Sequence, residues 1–395
     1  MRVMMIHNYY QHRGGEDAVY EAEAALLEQH GHDVRREAFH SSDIPERRTM
    51  GQSIRLGVQS IWSRSAYRTI SAAVDEFKPD VVHLHNTFPL LSPSIYRACR
   101  SAGAPTVQTL HNFRMLCANA ILFRDGSVCE DCVGRRLTWP GIAHACYRDS
   151  RIATATVTAM QATHRALGTW RRDVDLYVAL SDHSMGVFGR GGLPPEKLFA
   201  KPHFVEDFGM PSGDPRSGAV FVGRLTPEKG VNTLLEAWTH VRDGIRLTII
   251  GDGPMAEDVR AAASANPNIE WLGQKRYGET MRVVGAASLL IFPSVWYETF
   301  GRTIVEAFSR GTPVLASNSG TARDLVTSHR TGCHFPTGDA HALAGEVNSL
   351  FETPEHMRVL GQRAREEYEA RYTPAVGYEN LIKCYERAIE LRARG

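Results

Sequence analysis

Short apolar runs alternate with helix-patterned segments along the second half of this chain. Strands are predicted at Ala219 to Val222, Arg246 to Ile250, Leu289 to Phe292 and Pro313 to Ala316, with helical periodicity between them. Strands joined by helical crossovers pair in parallel, and helices then cover both faces of the sheet. The second half is therefore predicted to be an α/β domain with a doubly wound parallel sheet.

The first half has the same alternation, with predicted strands at Val3 to Ile6, Val81 to His85, Thr106 to Leu110 and Leu176 to Leu180. A chain of 395 residues is long for one hydrophobic core, so two domains are expected.

The best linker candidate is the stretch 205–218, which is rich in Gly, Pro, Asp and Ser. We predict an N-terminal domain over 1–204 with a cysteine-rich insert at 113–150, and a second domain over 205–375. Residues 376–395 are predicted to form a last helix that packs back on the first domain.

Charge and hydropathy exclude several classes of protein. The net charge is +1, which gives no electrostatic signal for a nucleic-acid partner. Without an apolar run of about 20 residues or a signal-peptide pattern after Met1, we expect a cytoplasmic protein. A long amphipathic helix predicted from Ile54 to Phe77 could touch the inner face of the cytoplasmic membrane, although a solvated helix face is the favoured alternative.

The stretch from Glu298 to Glu306 follows a buried strand and leads into a helix that begins at Arg302. Gly301 permits a tight turn, and the unpaired N–H groups of the helix start attract negative charge. Two carboxylates eight residues apart, with those amides between them, suit a phosphorylated sugar compound. A surface carboxylate and an ordinary helix residue are the alternative.

Two cations flank another strand-to-helix turn, which runs from Gly223-Arg224 to Glu228-Lys229-Gly230. Arg in forked hydrogen bonds and Lys as a point charge can hold a diphosphate without a metal ion. Solvated loop cations are the alternative. In the first half, Gly14-Gly15 before a helix is a weaker phosphate signal, and His85 and His111 follow strands where open α/β sheets bind ligands.

Four of the seven cysteines, Cys117, Cys129, Cys132 and Cys146, interrupt the α/β pattern. The central C-x2-C pair is typical of a zinc knuckle, so a structural zinc ion is predicted there. Two disulfides or free thiols remain alternatives, and His144 could replace one ligand.

The motifs of the second half, which also include Gly251-Asp252-Gly253-Pro254, resemble in this order the C-terminal half of retaining glycosyltransferases of family 4. Gly14-Gly15 and His111 fall at the family's N-terminal positions, so the resemblance covers nearly the whole chain. It implies the GT-B architecture, in which two Rossmann-like domains face a central cleft.

The resemblance also implies residue roles. Arg224 and Lys229 would bind the donor diphosphate, Glu306 the ribose, Glu298 the donor sugar, and His111 the transferred sugar near its C6 hydroxyl. The implied catalytic residues are His111, Arg224, Lys229 and Glu298; the implied donor-binding residues are Gly14, Gly15, Gly223, Gly253, Leu272, Gly273, Phe300, Gly301, Arg302, Thr303 and Glu306.

The implied activity is that of a hexosyltransferase. It would move a sugar, with retention, from a UDP- or GDP-linked donor to a hydroxyl of a glycan, lipid-linked or small-molecule acceptor. No cofactor would be needed for catalysis, and bacterial surface polysaccharide or glycoconjugate synthesis is the implied setting. A sugar-nucleotide 2-epimerase and a non-catalytic nucleotide-sugar-binding protein are the alternatives.

Overall fold

The computed structural model describes residues 1–11, 14–44, 49–211 and 215–394. These residues divide into two compact units. Unit 1 comprises Met1–Leu122, Cys129–Pro202 and Tyr378–Gly395, and unit 2 comprises Phe123–Val128 and His203–Gly377.

Unit 1 is built on a six-stranded sheet in the order β2-β1-β3-β4-β7-β8, in which every neighbouring pair is parallel. Its strands are β1 (Arg2–Tyr9), β2 (Asp33–His40), β3 (Val81–Leu84), β4 (Thr106–Thr109), β7 (Leu176–Ala179) and β8 (Leu198–Ala200). A separate antiparallel hairpin, whose residues belong to unit 2, pairs β5 (Phe123–Arg124) with β6 (Ser127–Val128).

The helices before the second sheet are α1 (Gly15–Gln29), α2 (Met50–Ile61), α3 (Arg64–Phe77), α4 (Ser94–Ser101), α5 (Trp139–Ala143), α6 (Arg151–Ala166), α7 (Thr169–Arg172) and α8 (Asp182–Arg190). The prediction of one helix from Ile54 to Phe77 is wrong, because the chain breaks at Trp62 and Ser63. The Ser63 hydroxyl accepts a hydrogen bond from the Ala66 N–H at 3.2 Å and caps a new helix.

Unit 2 has a second parallel six-stranded sheet, in the order β11-β10-β9-β12-β13-β14. The strands are β9 (Ala219–Val222), β10 (Leu247–Ile250), β11 (Ile269–Trp271), β12 (Leu289–Phe292), β13 (Val314–Ser317) and β14 (Gly332–Phe335). The remaining helices are α9 (Val231–Ala237), α10 (Ala256–Ala265), α11 (Tyr277–Ala286), α12 (Arg302–Ser309), α13 (Gly320–Leu325), α14 (Ala340–Glu352), α15 (Pro354–Arg371) and α16 (Pro374–Arg394).

The inner strands of both sheets are largely buried, as expected when helices cover both faces, whereas the edge strands β2, β8 and β11 are partly exposed. The last helix belongs to unit 1 from Tyr378 onward, where Leu381, Cys384 and Tyr385 are fully buried. The prediction of a doubly wound α/β fold with a C-terminal helix is confirmed. No helix in the described part of the chain is long and apolar enough to cross a membrane.

Candidate functional site

The loops that follow β9 and β10 in unit 2 lie against each other through their backbones. The Gly223 N–H donates to the Ile250 carbonyl at 3.0 Å, and the Leu225 N–H donates to the Asp252 carbonyl at 2.9 Å. Gly251 has a φ of 142°, and a Cβ there would lie 1.8 Å from the Gly223 oxygen. This approach therefore requires glycine, which explains why the two motifs are glycine-rich.

The loops after β9 and β12 are joined in the same way. Gly230 has a φ of 73°, and a Cβ on it would lie 1.9 Å from the Pro293 oxygen. The Val295 N–H donates to the Glu228 carbonyl at 3.0 Å. The two sequence motifs that flank Lys229 and Glu298 are thereby held together at the carboxyl edge of the sheet.

Glu298 accepts two hydrogen bonds at that edge. Its Oε1 atom lies 2.5 Å from the Lys229 Nζ and 2.9 Å from the Ser294 Oγ. The Lys229 ammonium also lies 5.3 Å from the centre of the Trp296 ring. Because the Glu298 side chain is only 9% exposed, its carboxylate is fixed in position before any ligand binds.

The start of α12 carries the second carboxylate of the motif. Arg302 Nε lies 2.9 Å from Glu306 Oε1, and the Arg302 guanidinium stacks 5.4 Å from the Tyr277 ring centre. Burial and the nearby Glu306 charge raise the pKa of Tyr277, so its hydroxyl stays protonated. Phe300 and Gly301 are buried at the first turn, and Thr303 is half-buried.

Arg224 is the exposed cation of the group, with 67% of its side chain accessible and a 3.4 Å contact from Nη2 to Glu228 Oε1. The loop after β11 lies beside the loop after β10: the Gly251 N–H donates to the Gly273 carbonyl at 3.0 Å. Leu272 and Gly273 are half-buried there. Gly253 lies in the loop after β10, where a Cβ would lie 2.6 Å from the Leu225 oxygen.

In unit 1, His111 follows β4 and His85 follows β3. His85 Nδ1 lies 3.0 Å from His111 Nε2, and burial keeps the pKa of both rings well below 6.5. Both line a cavity together with Asn86, Phe88 and Arg114. The two rings are therefore neutral at pH 7.

Gly14 and Gly15 form the start of α1. The Gly14 N–H donates to Asp17 Oδ2 at 2.8 Å. Apart from its chain neighbours, no atom of the described residues lies within 4 Å of a Cβ placed on either glycine, so a ligand could approach this backbone closely from their side.

All seven cysteines are free thiols, and Cys99, Cys333 and Cys384 are buried in the cores. Burial and the other three members of the cluster raise the pKa of Cys132 to about 11. Among the described residues, three ligand atoms of His, Cys, Asp or Glu lie within 4.8 Å of one another only at Glu23, His83 and His85. The zinc ion on Cys117, Cys129, Cys132 and Cys146 stays a prediction.

Sequence reasoning missed three side chains beside the predicted site: Ser294, Trp296 and Tyr277. Ser294 and Trp296 lie just after β12, the position where an α/β sheet binds its ligands, and that signal could have found them. Tyr277 comes from α11, and no local pattern connects it to Arg302.

The chain also contains an Asp-x-Asp sequence at Asp173-Val174-Asp175. It precedes β7 and so lies at the amino edge of the sheet. Asp175 Oδ2 accepts from the Thr106 N–H at 2.9 Å, and Asp173 lies 3.6 Å from Arg97. The two carboxylates are part of the fold's own hydrogen bonding, away from the ligand edge.

Comparison with known families matches both halves of the chain. Residues 14–177 match the model of the glycosyl transferase 4-like domain, and residues 210–367 match that of glycosyl transferases group 1. A GDP-mannose-dependent alpha-mannosyltransferase from Mycolicibacterium smegmatis is 30% identical over 322 residues, which cover 80% of this chain and 76% of the relative. A 2-deoxystreptamine N-acetyl-D-glucosaminyltransferase from Streptomyces fradiae is 26% identical, with 85% and 77% covered.

Solved structures share the fold over the full length. The structure of HepE from Anabaena in complex with UDP has a TM-score of 0.67 at 17% identity and covers 97% of this chain and 99% of that chain. Sucrose-phosphate synthase from Thermosynechococcus elongatus has a TM-score of 0.71 at 16% identity and covers 100% of both chains. Together with the family models, these likenesses show that the chain belongs to glycosyltransferase family 4 and is a GT-B glycosyltransferase that takes its sugar from a nucleotide-sugar donor.

Proposed function

We propose that this glycosyltransferase is a retaining, metal-independent hexosyltransferase acting on a glycan, lipid-linked or small-molecule hydroxyl. The observation that carries the proposal is the cluster of Lys229, Glu298 and Ser294 at the carboxyl edge of the unit 2 sheet. It places a cation, an oriented carboxylate and the α12 N-terminus beside one another. That combination suits a sugar diphosphate.

In this proposal, the second unit stabilises the leaving group. As the glycosidic bond breaks, negative charge grows on the departing diphosphate, and Arg224, Lys229 and the amides at Phe300 and Gly301 would offset it. Preorganised groups of this kind typically contribute about 3–4 kcal/mol each to the transition state. Lys229 would leave Glu298 for the diphosphate, which frees the Glu298 carboxylate to accept from sugar hydroxyls.

The remaining site residues have supporting roles in the proposal. Glu306, oriented by Arg302, would accept from the ribose hydroxyls. Thr303 would add a hydroxyl at the helix start, and the backbones of four further residues would approach the nucleotide: Gly223, Gly253, Leu272 and Gly273. In unit 1, the backbone of Gly14 and Gly15 would approach the diphosphate or the acceptor, and His111 would contact the transferred sugar. For the retained configuration, the leaving phosphate would act as the base in a front-face attack.

The experiment is a screen of UDP- and GDP-linked sugars with candidate acceptors, in EDTA, that detects released nucleoside diphosphate. We expect turnover with at least one donor and a fall of 100-fold or more in Glu298→Gln, with unchanged thermal stability. Near-normal turnover of Glu298→Gln, or turnover that requires an added divalent ion, would refute this assignment. Product made without an acceptor would instead indicate an epimerase.

An exposed apolar surface on unit 1 supports a proposed lipid-linked acceptor and a proposed place at the inner face of the cytoplasmic membrane. Met50, Ile54 and Val58 form one stripe of α2 and are 82%, 61% and 61% exposed. Ile152, on the adjoining α6, is 82% exposed, and α2 packs on α6 where Gly57 meets Thr156. Exposed Arg55 and Arg151 add positive charge that suits anionic lipid.

Sedimentation with anionic vesicles tests this surface. The wild type should bind the vesicles, and the double variant Ile54→Gln/Ile152→Gln should bind less. Met210→Gln is the control: it changes an exposed apolar residue of unit 2 and should not lower binding. Equal binding by all three proteins would refute the surface.

For the cysteine cluster we propose a structural zinc ion, for which elemental analysis should give about one zinc per chain. Metal-free protein whose thermal stability does not respond to added zinc would refute it. The electrostatic influence of Cys117, Cys129 and Cys146 on the buried Cys132 thiol supports the proposal, since a metal ion would offset four thiolate charges in one region.

A further inference from the structure

Unit 1 contains a buried polar cluster that neither the family motifs nor the diphosphate chemistry uses. Its members come from distant parts of the chain: Glu23 on α1, His83 and His85 at the end of β3, Lys201 after β8, and Tyr385 on α16. Glu23, His83 and Lys201 are 0% exposed, and His85 is 2% exposed. Charges are rarely buried to this degree unless they are paired, so the cluster requires an explanation.

A metal ion does not suit the cluster, although Glu23, His83 and His85 offer three ligand atoms within 4.8 Å. Lys201 Nζ lies 2.6 Å from Glu23 Oε1 and already supplies the positive charge. Both nitrogens of His83 are in hydrogen bonds, at 3.0 Å to the Tyr385 hydroxyl and 2.8 Å to the Thr109 hydroxyl. A cation would have to displace these partners and repel the lysine.

Two buried atoms of the cluster face each other without a hydrogen bond of normal length. Glu23 Oε2 and His85 Nε2 both lack a close partner, and they lie 3.5 Å apart. If His85 Nε2 carried a lone pair, it would point at a carboxylate in a buried site. A proton on Nε2 turns this repulsion into an attraction, so His85 should be the Nε2–H tautomer.

The other nitrogen of His85 then determines the state of His111. Burial keeps the pKa of His85 low, so its ring is neutral and Nδ1 bears a lone pair. His85 Nδ1 lies 3.0 Å from His111 Nε2, and one of these two atoms must donate. With Nδ1 of His85 as the acceptor, His111 must carry its proton on Nε2.

We propose that Glu23 and His85 are positioning residues that hold His111 in the neutral Nε2–H tautomer, with its Nδ1 atom as a hydrogen-bond acceptor. The carboxylate orients one imidazole, and that imidazole orients the next, as in catalytic relays in which a buried carboxylate fixes a histidine tautomer. Resting on the proposed function, this makes His111 an acceptor for a hydroxyl of the donor sugar. A ring that could equally donate would not distinguish that hydroxyl from an ether or carbonyl oxygen.

Nitrogen NMR of protein labelled with ¹⁵N-histidine tests the tautomer directly, with the His111 signals identified by their loss in His111→Asn. In the wild type at pH 7.5 we expect a protonated Nε2 and an unprotonated Nδ1. His85→Leu should convert His111 to a mixture of tautomers, whereas His85→Asn, whose side-chain oxygen can accept near the original Nδ1 position, should retain the Nε2–H form. His164→Asn is the control and should leave the His111 tautomer unchanged. His164 is also a buried histidine, but its ring bonds to Thr169 and to the Ile61 carbonyl.

A protonated Nδ1 on wild-type His111, or a tautomer that His85→Leu leaves unchanged, would overturn the proposal. If His85→Leu fails to fold, the wild-type spectrum still decides. With the donor found by the screen, kcat/KM should fall about 10- to 100-fold in His85→Leu, the range typical of residues that orient a functional histidine, and recover in His85→Asn. A correct tautomer without any turnover would refute only the proposed function.

Discussion

The two units carry polar clusters of opposite character. In unit 2, Lys229 and Arg224 are 20% and 67% exposed and lie on loops beside a helix start. In unit 1, Glu23 and Lys201 are fully buried and make their ion pair inside the fold. A cation that solvent can reach can exchange its protein partner for a ligand, whereas a fully buried cation keeps its partner as long as the protein is folded. The first cluster is therefore suited to bind charge, and the second to orient a neutral ring.

The largest expected effect is on the stability of unit 1. Lys201→Met leaves the Glu23 carboxylate buried without its cation, which should lower the free energy of unfolding by about 3–5 kcal/mol. Urea unfolding followed by circular dichroism measures this. Lys197→Met is the matched control, because the half-buried Lys197 donates from Nζ to the Val174 backbone carbonyl at 2.6 Å. Equal losses in both variants would contradict a special role for the buried pair.

The second effect separates activity from stability in unit 2. Lys229→Ala should lower kcat by 100-fold or more, about 3–4 kcal/mol of transition-state stabilisation, with a smaller loss of stability than Lys201→Met. Glu298 keeps its hydrogen bond from the Ser294 hydroxyl, and the Lys229 side chain is 20% exposed, so water can reach the vacated position. Arg242→Ala, which removes another exposed unit 2 cation, should leave kcat unchanged. A large stability loss in Lys229→Ala together with normal turnover would show that this lysine supports the fold and not the reaction.

The smallest effect depends on pH. Burial, reinforced by Asp17, raises the pKa of Glu16 from 4.5 to about 7 in the folded state. The unfolded chain therefore releases this proton at lower pH, and stability falls as the pH rises from about 4.5 to 7. Glu16→Gln should lack that loss and be more stable than the wild type at pH 8 by on the order of 1 kcal/mol, with little difference at pH 4.5.

Urea unfolding at the two pH values checks this prediction. Glu28→Gln changes an exposed carboxylate of the same helix and should show no such pH-dependent gain. A gain for Glu16→Gln that is the same at both pH values would show that ionisation is not its cause.

Much of unit 2 could be predicted because its motifs are local. The strand Leu289–Phe292 and the helix start at Arg302 are found where the sequence predicted them, because apolar periodicity and Gly301 determine them within a few residues. The sequence predicted that Lys229 and Glu298 serve the same site, but it did not predict their ion pair. A contact between residues 69 positions apart has no local sequence pattern.

Unit 1 was less accessible to sequence reasoning. The first strand is predicted to end at Ile6, but β1 continues to Tyr9, because the parallel strand β2 pairs with it along its full length. Lys201 lies 178 residues from Glu23, and nothing in its neighbourhood indicates a buried charge. The helix break at Ser63 also depends on a distant residue, since Trp62 stacks on His164 at 5.8 Å.

The most direct test of the account is a crystal structure with the nucleoside diphosphate that the donor screen identifies. We expect the diphosphate to lie within hydrogen-bonding distance of Lys229 Nζ and of the amides at Phe300 and Gly301, and we expect Lys229 to have moved away from Glu298. A diphosphate bound elsewhere, with the Lys229–Glu298 ion pair still closed, would contradict it.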